Sequence, residues 1–409
     1  MKNEILEIID NRVGLIHSLN VVDFKNMSES FYRYMALINH NFCNKKFPGT
    51  GFSLDEESAK IKAIGEALER YCSVIQNSEK IRYCVESNLE LDAISPIHFN
   101  RYTTNQYYNS LLYKEYDSST KRKWVEATHK NSGRTVFLPF ETIYLLIPDT
   151  HLPFRDVVST GLACGPTAEF AFENGLNECI ERDAFMLFWL LGELNYEIDL
   201  TSIKNKELNK LVSIANNQNI NIRLFDISQK DFQTFTILCL LNIHDNKGFY
   251  MATSTNKSLL KALKGAVEEG ISGYTAFRER IAFYDLIPPN NPEEINSLED
   301  HASFYVNGHY DEILNKIIPT STKKIPINET IRYSYLEMID SVLSSINVYY
   351  HDLTSIDVKS IGLTVMRVVA PDLLFLPYGT EPLLESNRLK EKLKNKKSKS
   401  INMMPHPFP

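Results

Sequence analysis

The chain has 409 residues, of which 43% are hydrophobic and 23% are charged, a composition typical of a globular protein with a large core. The formal net charge of −7 excludes a broad basic field of the kind that binds nucleic acid. Apolar runs such as residues 235–241 are far shorter than the roughly 20 residues that span a bilayer, and acidic residues near the N-terminus exclude a secretory signal peptide. The six cysteines form no C-x-x-C pair, so we predict reduced thiols in a soluble, cytoplasmic protein that binds neither nucleic acid nor membranes.

Periodic apolar residues and turn signals predict an alternation of helices and strands along the whole chain. The predicted helices cover residues 55–76, 168–191 and 258–280. The predicted strands cover residues 13–19, 135–139, 142–146, 222–227, 234–243, 346–350 and 363–369. Residues 286–330 are predicted to form a connecting and partly helical region. The alternation favours a mixed α/β fold, one domain over residues 1–409 with an N-terminal segment over 1–45 and a C-terminal tail over 388–409.

Two of the predicted helices carry the same pattern, E-x-x-E-R. The first copy consists of Glu66, Glu69 and Arg70, and the second consists of Glu178, Glu181 and Arg182. Positions i, i+3 and i+4 share one helix face, so each copy presents two carboxylates and a guanidinium together. If both faces meet at one cavity, the crowded carboxylates repel, and a hard divalent cation with nucleotide phosphate balances the charges. The pattern therefore predicts an ATP and Mg²⁺ site built from helices.

A solvated helix face with an i,i+4 Glu–Arg pair is the alternative for either copy alone. The surroundings of the two copies favour a binding site. A glycine-containing loop precedes each helix, residues 49–51 before the first and residues 159–167 before the second. Surface helices have no reason to repeat that layout.

The C-terminus combines a basic run over residues 388–400 with the pattern P-x-P-x-P over residues 405–409. The basic run reads as a solvated helix or linker. The prolines favour a stiff, extended conformation that ends in a free carboxylate. Two alternatives stay open from these residues: a frayed end, or a tail docked in a pocket that holds the carboxylate of Pro409.

Together, these motifs resemble the YcaO family, and within it the azoline-forming cyclodehydratases of ribosomal peptide biosynthesis. The resemblance covers most of the chain. It rests on residues 49–51 leading into 63–71, on residues 161–165 leading into 175–183, and on residues 262–269. The closing P-x-P-x-P is typical of the azoline-forming branch. The resemblance implies the YcaO fold, in which mixed sheets and helices line an ATP site.

The resemblance also implies roles for the motif residues. Metal and nucleotide would be held by Glu66, Glu69, Glu178, Glu181 and Glu269, while Arg70 and Arg182 would contact phosphate or hold the carboxylates in place. In the implied reaction, a Cys, Ser or Thr side chain of a precursor peptide attacks the preceding backbone carbonyl. ATP then phosphorylates the former amide oxygen, and phosphate departs to leave a thiazoline or oxazoline. The carboxylate of Pro409 would orient the reacting groups or accept a proton.

Four positions depart from the family pattern. Lys62 stands where the family often has Ser, Asn174 where it often has Gln, and Ser272 and Tyr274 where Gln and Arg are usual. The Lys62 side chain either reaches a phosphate or is simply solvated. These departures indicate altered nucleotide contacts or a partner that completes the site.

Partners are implied as well. The resemblance implies a separate leader-binding protein, similar in fold to ubiquitin-activating enzymes, and allows a flavin dehydrogenase that oxidises azolines to azoles. A homodimer stays open, because Phe185, Phe188 and Trp189 suit an interface as readily as a core. Two other functions also stay open: another YcaO chemistry that yields a thioamide or amidine, and a non-catalytic scaffold that only presents peptide.

Overall fold

A computed structural model of the chain describes residues 8–22, 31–40, 45–146, 152–243, 248–283, 286–308, 311–319, 321–394, 396 and 400–409. The helices are α1 (Glu56–Cys72), α2 (Thr104–Asn109), α3 (Ala168–Leu191), α4 (Lys206–Asn216), α5 (Leu259–Phe283), α6 (Leu298–Val306), α7 (Asp311–Ile317), α8 (Tyr335–Leu343), α9 (Ile356–Ser360) and α10 (Asn387–Lys394). Among the described residues, every helix is too short or too polar to cross a lipid bilayer.

The strands form three sheets. Their bounds are β1 (Ser18–Val21), β2 (Tyr32–His40), β3 (Lys45–Ser53), β4 (Ile81–Cys84), β5 (Arg122–His129), β6 (Thr135–Pro139), β7 (Leu162–Gly165), β8 (Tyr196–Ile198), β9 (Ile220–Asp226), β10 (Phe235–Ile243), β11 (Phe249–Asn256), β12 (Lys324–Ile325), β13 (Tyr349–Asp352) and β14 (Thr364–Val369). The first sheet has the order β1-β2-β3 and the second the order β11-β10-β9-β8-β12, in which β12 runs parallel to β8. The third has the order β4-β5-β13-β14-β7, with β6 also paired to β5.

Helix α1 lies directly on strands β2 and β3. It begins after Asp55, whose side chain accepts a hydrogen bond from the backbone N–H of Ser58 at 2.9 Å. Its buried face is rich in alanine, and the strand beneath it supplies Gly49 and Gly51. A Cβ atom at Gly51 would lie 2.0 Å from the carbonyl oxygen of Ala59, so only glycine allows this close approach. Residues 49–51 therefore belong to strand β3 rather than to the predicted loop, and their glycines seat α1 on the sheet.

Helix α3 is the central helix of the fold. It packs against β7 and β14 of the third sheet and against β10 and β11 of the second. It ends at Gly192, whose φ of 67° is the left-handed conformation that closes a helix. Phe185, Phe188 and Trp189 are fully buried within the chain. Of the two alternatives left open for these residues, an interface or the core, the structure shows the core.

Two predicted strands are also wrong. Residues 142–146 do not form a strand, because the chain makes a 3-10 turn over Phe140–Thr142 and the Thr142 hydroxyl donates to the carbonyl oxygen of Pro139 at 2.7 Å. Residues 13–19 begin in a turn, and only Ser18 and Leu19 of that stretch belong to β1. The other predicted helices and strands occur, with exact bounds for α3 and β6 and bounds shifted by a few residues elsewhere, and residues 286–330 contain α6 and α7 as predicted.

Candidate active site

A cavity of about 890 Å³ lies where α1, α3 and α5 come together. Its walls include seven of the eight site residues predicted from the sequence: Glu66, Glu69, Arg70, Glu178, Arg182, Glu269 and Pro409. Glu181 does not line the cavity. It lies beside Arg182, and its side chain is 12% exposed. The structure thus gathers both E-x-x-E-R copies, the acidic residue of α5 and the C-terminal residue at one place.

The carboxylates of α1 are held by backbone N–H groups of other segments. Glu66 Oε2 accepts from the backbone N–H of Thr50 at 2.7 Å and from the Thr50 hydroxyl at 3.0 Å. Glu69 Oε1 accepts from the backbone N–H of Cys164, in strand β7, at 2.7 Å. Backbone donors cannot rotate away or lose their proton, so they fix where each carboxylate points.

The carboxylates of α3 are held in the same way. Glu178 Oε2 accepts from the backbone N–H of Gly161 at 3.0 Å, and Glu181 Oε2 accepts from that of Thr255 at 2.9 Å. Gly161 has a φ of 90°, and a Cβ atom there would lie 2.1 Å from the carbonyl oxygen of Val368. Glycine is therefore required at the position that orients Glu178. The sequence pattern identifies this glycine loop, but it does not indicate that the backbone N–H of Gly161 holds the Glu178 carboxylate.

The two arginines of the motifs lie close to the carboxylates of their own helix. Arg70 Nη2 is 3.6 Å from Glu66 Oε1. Arg182 is more enclosed, with Nη1 3.2 Å from Glu181 Oε1 and Nη2 3.5 Å from Glu178 Oε1. Arg182 therefore holds two carboxylates of α3 together, which is one of the two roles that the family resemblance implied for it.

The carboxylates are crowded, and the surrounding protein leaves them only partly exposed to water. Burial raises the pKa of Glu69 well above its usual range, and the charges of Glu66 and Glu178 raise it further. Burial also raises the pKa of Glu181 and of Glu269, while the guanidinium of Arg182 opposes both shifts. A bound cation would relieve this cost, so the cavity favours a ligand that brings positive charge.

The arrangement fits Mg²⁺ that is shared with nucleotide phosphate. In the described part of the chain, no three Asp, Glu, His or Cys side chains converge into a cluster that would hold a metal alone. Mg²⁺ is usually bound by one or two carboxylates together with phosphate oxygens and water, rather than by a complete protein cage. Carboxylates spread around one cavity are consistent with this mode of Mg²⁺ binding. The guanidinium groups of Arg70 and Arg182 are suitable hydrogen-bond donors to phosphate oxygens.

Lys62 is half-exposed, and it is also paired with a side chain of another helix. Its Nζ lies 2.8 Å from Glu268 Oε2 and donates to the carbonyl oxygen of Phe52 at 3.0 Å. Glu268 is 7% exposed, and it precedes the cavity residue Glu269 in α5. Lys62 therefore links α1 to α5. The two residues are 206 positions apart, so no local pattern announces this pair.

The two α5 residues that depart from the family pattern, Ser272 and Tyr274, lie in different environments. Ser272 lines the cavity together with Gly273. Tyr274 is fully buried, and its ring lies 6.3 Å from that of Tyr250. A side chain at position 274 therefore belongs to the core, whereas one at position 272 faces the cavity.

The C-terminal tail is docked, which is one of the two alternatives that the sequence left open. Residues 405–408 are buried, and only Pro409 is partly exposed at the cavity. The Tyr305 hydroxyl donates to the Pro405 carbonyl at 2.6 Å, and His301 Nδ1 lies 2.8 Å from the carbonyl oxygen of His406. The Phe408 ring packs edge-on against Phe185, with ring centres 5.0 Å apart. These contacts place the last residue beside the carboxylates.

The basic run before the tail is only partly solvated. Its first residue, Arg388, donates through Nε to both carboxylate oxygens of Asp183, at 2.8 and 2.7 Å. Asp183 is fully buried and directly follows Arg182 in α3. The prediction of a solvated helix is wrong for Arg388, because this side chain ties α10 to the central helix. Residues 395 and 397–399 lie outside the described residues.

A comparison with protein families decides which family this is. The family model described as YcaO cyclodehydratase, ATP- and Mg²⁺-binding, matches residues 50–374. The chain belongs to the YcaO family. This YcaO match confirms the family predicted from the motifs and, with it, ATP and Mg²⁺ as the cofactors. No curated protein sequence matches this YcaO chain.

Solved structures show the same fold. A heterocyclase in complex with substrate and cofactor superposes on this YcaO chain with a TM-score of 0.79 at 18% identity, over 100% of this chain and 57% of that one. YcaO from Methanopyrus kandleri bound with AMPPCP and Mg²⁺ gives 0.60 at 17% identity, over 87% and 86%. The E. coli microcin synthetase McbBCD complex with pro-MccB17 bound gives 0.67 at 18% identity, over 96% and 96%. The mixed α/β fold is thereby confirmed, and this chain spans little more than half the length of the first heterocyclase chain.

Proposed function

We propose that this YcaO chain is an ATP-dependent cyclodehydratase that converts Cys, Ser or Thr residues of a ribosomal precursor peptide to thiazoline or oxazoline. The observation that carries the proposal is the convergence of the motif carboxylates and arginines on one cavity that Pro409 also lines. Its volume of about 890 Å³ lies within the usual range of small-molecule sites. That volume leaves room for a nucleotide and for the peptide bond that reacts with it.

In the proposed site, Glu66, Glu69, Glu178, Glu181 and Glu269 hold Mg²⁺ and nucleotide, and Arg70 and Arg182 stabilise charge on the phosphates. When bound, ATP supplies the phosphoryl group that turns the former amide oxygen into a good leaving group. The carboxylates, fixed by backbone N–H groups, would hold a bound cation in one position, which favours reaction with a positioned peptide oxygen. The partial burial of these groups strengthens each of these charge interactions.

The C-terminal carboxylate has a proposed part in proton transfer. Cyclisation requires that the attacking side chain and the amide nitrogen lose protons. A carboxylate at Pro409 would accept one of them, and the contacts of His406 and Phe408 hold that group at the cavity without help from its own side chain.

We further propose that the peptide substrate reaches this site with the help of a leader-binding protein, similar in fold to ubiquitin-activating enzymes, and that a flavin dehydrogenase acts on the azoline product. Support comes from the relatives, since one of the matched structures is a complex named McbBCD with pro-MccB17 bound. A single cytoplasmic domain is the proposed setting, and the described cysteines Cys72, Cys84, Cys164, Cys179 and Cys239 are free thiols, as that compartment favours.

The mass of the product tests the chemistry. Precursor peptide incubated with this chain, a leader-binding partner and ATP should lose about 18 Da for each ring formed. A gain of about 16 Da would identify a thioamide instead. Unmodified peptide, together with no binding of ATP and Mg²⁺ in a calorimeter, would leave only the non-catalytic scaffold.

A matched pair of variants tests the site. Glu181→Gln keeps an oxygen that accepts from the Thr255 N–H but removes the charge, so ATP turnover should fall by at least about a hundredfold while the fold is kept. Glu173→Gln is the control. Glu173 is on the same helix but does not line the cavity, and its Oε1 lies 2.6 Å from Lys257 Nζ. Unchanged turnover in Glu181→Gln would reduce Glu181 to a structural charge.

A further inference from the structure

A second cavity, of about 620 Å³, lies apart from the first. It is lined by residues of strands β4 and β5, by the loop over residues 114–121, and by Phe140 and Leu152. Among the described residues, none lines both cavities. Whatever enters this second cavity therefore does not compete for the carboxylates and arginines of the proposed active site.

The second cavity is positively charged, although the chain as a whole has a net charge of −7. Lys114, Lys121, Arg122 and Lys123 line it against Glu115 and Asp117, and since Arg122 is balanced by the buried Glu141, the three lysines supply the excess of positive charge. None of the three lysines forms an ion pair with any described residue. A local reversal of sign of this kind attracts a negatively charged ligand.

Arg122 gives the cavity a fixed cation. Its side chain is 6% exposed, and Nη2 lies 2.5 Å from Glu141 Oε1. The guanidinium also lies 5.2 Å from the centre of the Tyr116 ring and 5.5 Å from that of Phe154. Nε has no hydrogen-bond partner in the described part of the chain. Arg122 is thus held by the Glu141 carboxylate and by aromatic rings, and its Nε is left without a hydrogen bond.

Aromatic rings make the rest of the wall apolar. Tyr83 on β4 is 66% exposed and stands directly opposite Lys123 on β5, so the two side chains share one face of the sheet. Lys123 Nζ lies 4.9 Å from the centre of the Phe140 ring, which also lines the cavity. The cavity therefore offers cations next to apolar surfaces. A small inorganic anion would use only the first of these.

We propose that this second cavity is a binding site for an acidic peptide segment of another polypeptide. Its carboxylates would pair with Lys114, Lys121 and Lys123, and its aliphatic side chains would pack on the exposed Tyr83 and the partly exposed Tyr116. Such mixed recognition gives specificity and a fast association rate, because the charges steer the segment and the rings retain it. The site goes beyond the proposed reaction, and it would hold a bound chain at a distance from the nucleotide cavity.

Binding is measured directly by fluorescence anisotropy with a short fluorescein-labelled peptide that alternates Glu and Leu. The full chain should bind it saturably, and Lys121→Glu/Lys123→Glu should weaken binding by at least about tenfold. Higher salt should shrink that difference, because exposed charges are screened. Lys359→Glu is the control, since Lys359 is an exposed lysine of α9 outside both cavities.

Three results would overturn the proposal: no binding by the full chain, equal binding of a peptide with Gln in place of Glu, or an equal loss in Lys359→Glu. Stronger binding of a fluorescein-labelled oligothymidylate than of the acidic peptide, lost in the same double variant, would assign the cavity to nucleic acid instead. ATP binding by the double variant should equal that of the unaltered chain. This last measurement keeps the test independent of the proposed cyclodehydratase activity.

Discussion

The guanidinium of Arg182 lies 4.3 Å from the centre of the Phe408 ring, so the second E-x-x-E-R motif touches the C-terminal tail directly. The next residue of the helix, Asp183, binds Arg388 at the start of the C-terminal segment. Two consecutive residues of α3 therefore hold both ends of this segment. The charge balance of the cavity and the position of Pro409 are coupled through Arg182.

Shortening the tail by different lengths should separate its two roles. Deleting Pro409 alone removes a half-buried residue and shifts the terminal carboxylate, so cyclisation should slow by about tenfold or more with little change in stability. Deleting residues 405–409 also removes the buried Phe408 and should cost about 3 kcal/mol of unfolding free energy. Product formation and thermal unfolding are the measurements. Equal cyclisation rates in the unaltered chain and the Pro409 deletion would remove the tail from the chemistry.

The buried ion pair between Asp183 and Arg388 should be needed for stability. Asp183→Asn leaves the guanidinium of Arg388 without its main counter-charge, and the expected loss of unfolding free energy is about 3 kcal/mol. The control is Glu207→Gln, which breaks the exposed pair with Lys264 and should cost less than about 1 kcal/mol. Urea denaturation measures both. Similar midpoints for the two variants would mean that α10 is held by its other contacts.

Binding of Mg²⁺ and ATP should release protons near neutral pH. Burial raises the pKa of Glu181 to about 8 and that of Glu269 to about 7, so both carry protons for part of the time in the nucleotide-free protein. Cation binding requires the charged forms. Calorimetry at pH 7 in buffers of different ionisation enthalpy should detect proton release, and ATP affinity should rise with pH from about 6 to 8. An enthalpy that does not depend on the buffer would contradict this prediction.

The same shifts predict how stability depends on pH. Because the folded, nucleotide-free protein binds more protons at these two carboxylates than the unfolded chain does, its stability should fall as the pH rises from about 4.5 to 8. Bound Mg²⁺ and ATP should remove that loss. Thermal unfolding with and without ligand across this pH range makes the comparison.

Lys62 should contribute to stability rather than to nucleotide binding. Lys62→Met removes the partner of the nearly buried Glu268 and should cost about 1 kcal/mol, while ATP affinity stays unchanged. Lys60→Met is the control on the same helix, because Lys60 pairs with Glu56 one turn away at the surface, and it should cost only a few tenths of a kcal/mol. Urea denaturation and calorimetry are the two readouts. Weaker ATP binding at unchanged stability would show that Lys62 reaches phosphate.

Local patterns were enough to locate the site helices. Apolar periodicity predicted α1, α3 and α5 within a few residues, and the E-x-x-E-R spacing indicated which faces would meet. The same kind of pattern failed at residues 142–146. A β-branched, apolar stretch there favours a strand, but the bond from Thr142 back to Pro139 turns the chain instead. Short apolar stretches are decided by such nearby bonds, which the periodicity does not contain.

The details that orient the site lie beyond any local pattern. Glu69 depends on the backbone of Cys164, and Glu181 depends on that of Thr255. Each pair joins segments more than seventy residues apart, and the donor is a peptide N–H that every residue except proline has. The type of residue at the donor position therefore carries no signal. Only the three-dimensional arrangement of β7 and β11 against the helices shows which N–H is used.

The residues that line the cavity include both Val22 and Pro409, so segments far apart in the sequence contribute to it. Chains emerge from the ribosome with their N-terminal part first, and folding of early segments begins during synthesis. A nascent chain that still lacks Phe408 would leave Arg182 without the ring that covers it. The cavity wall is therefore assembled only after residues 22 to 409 have all been synthesised, and a shorter nascent chain has an incomplete wall.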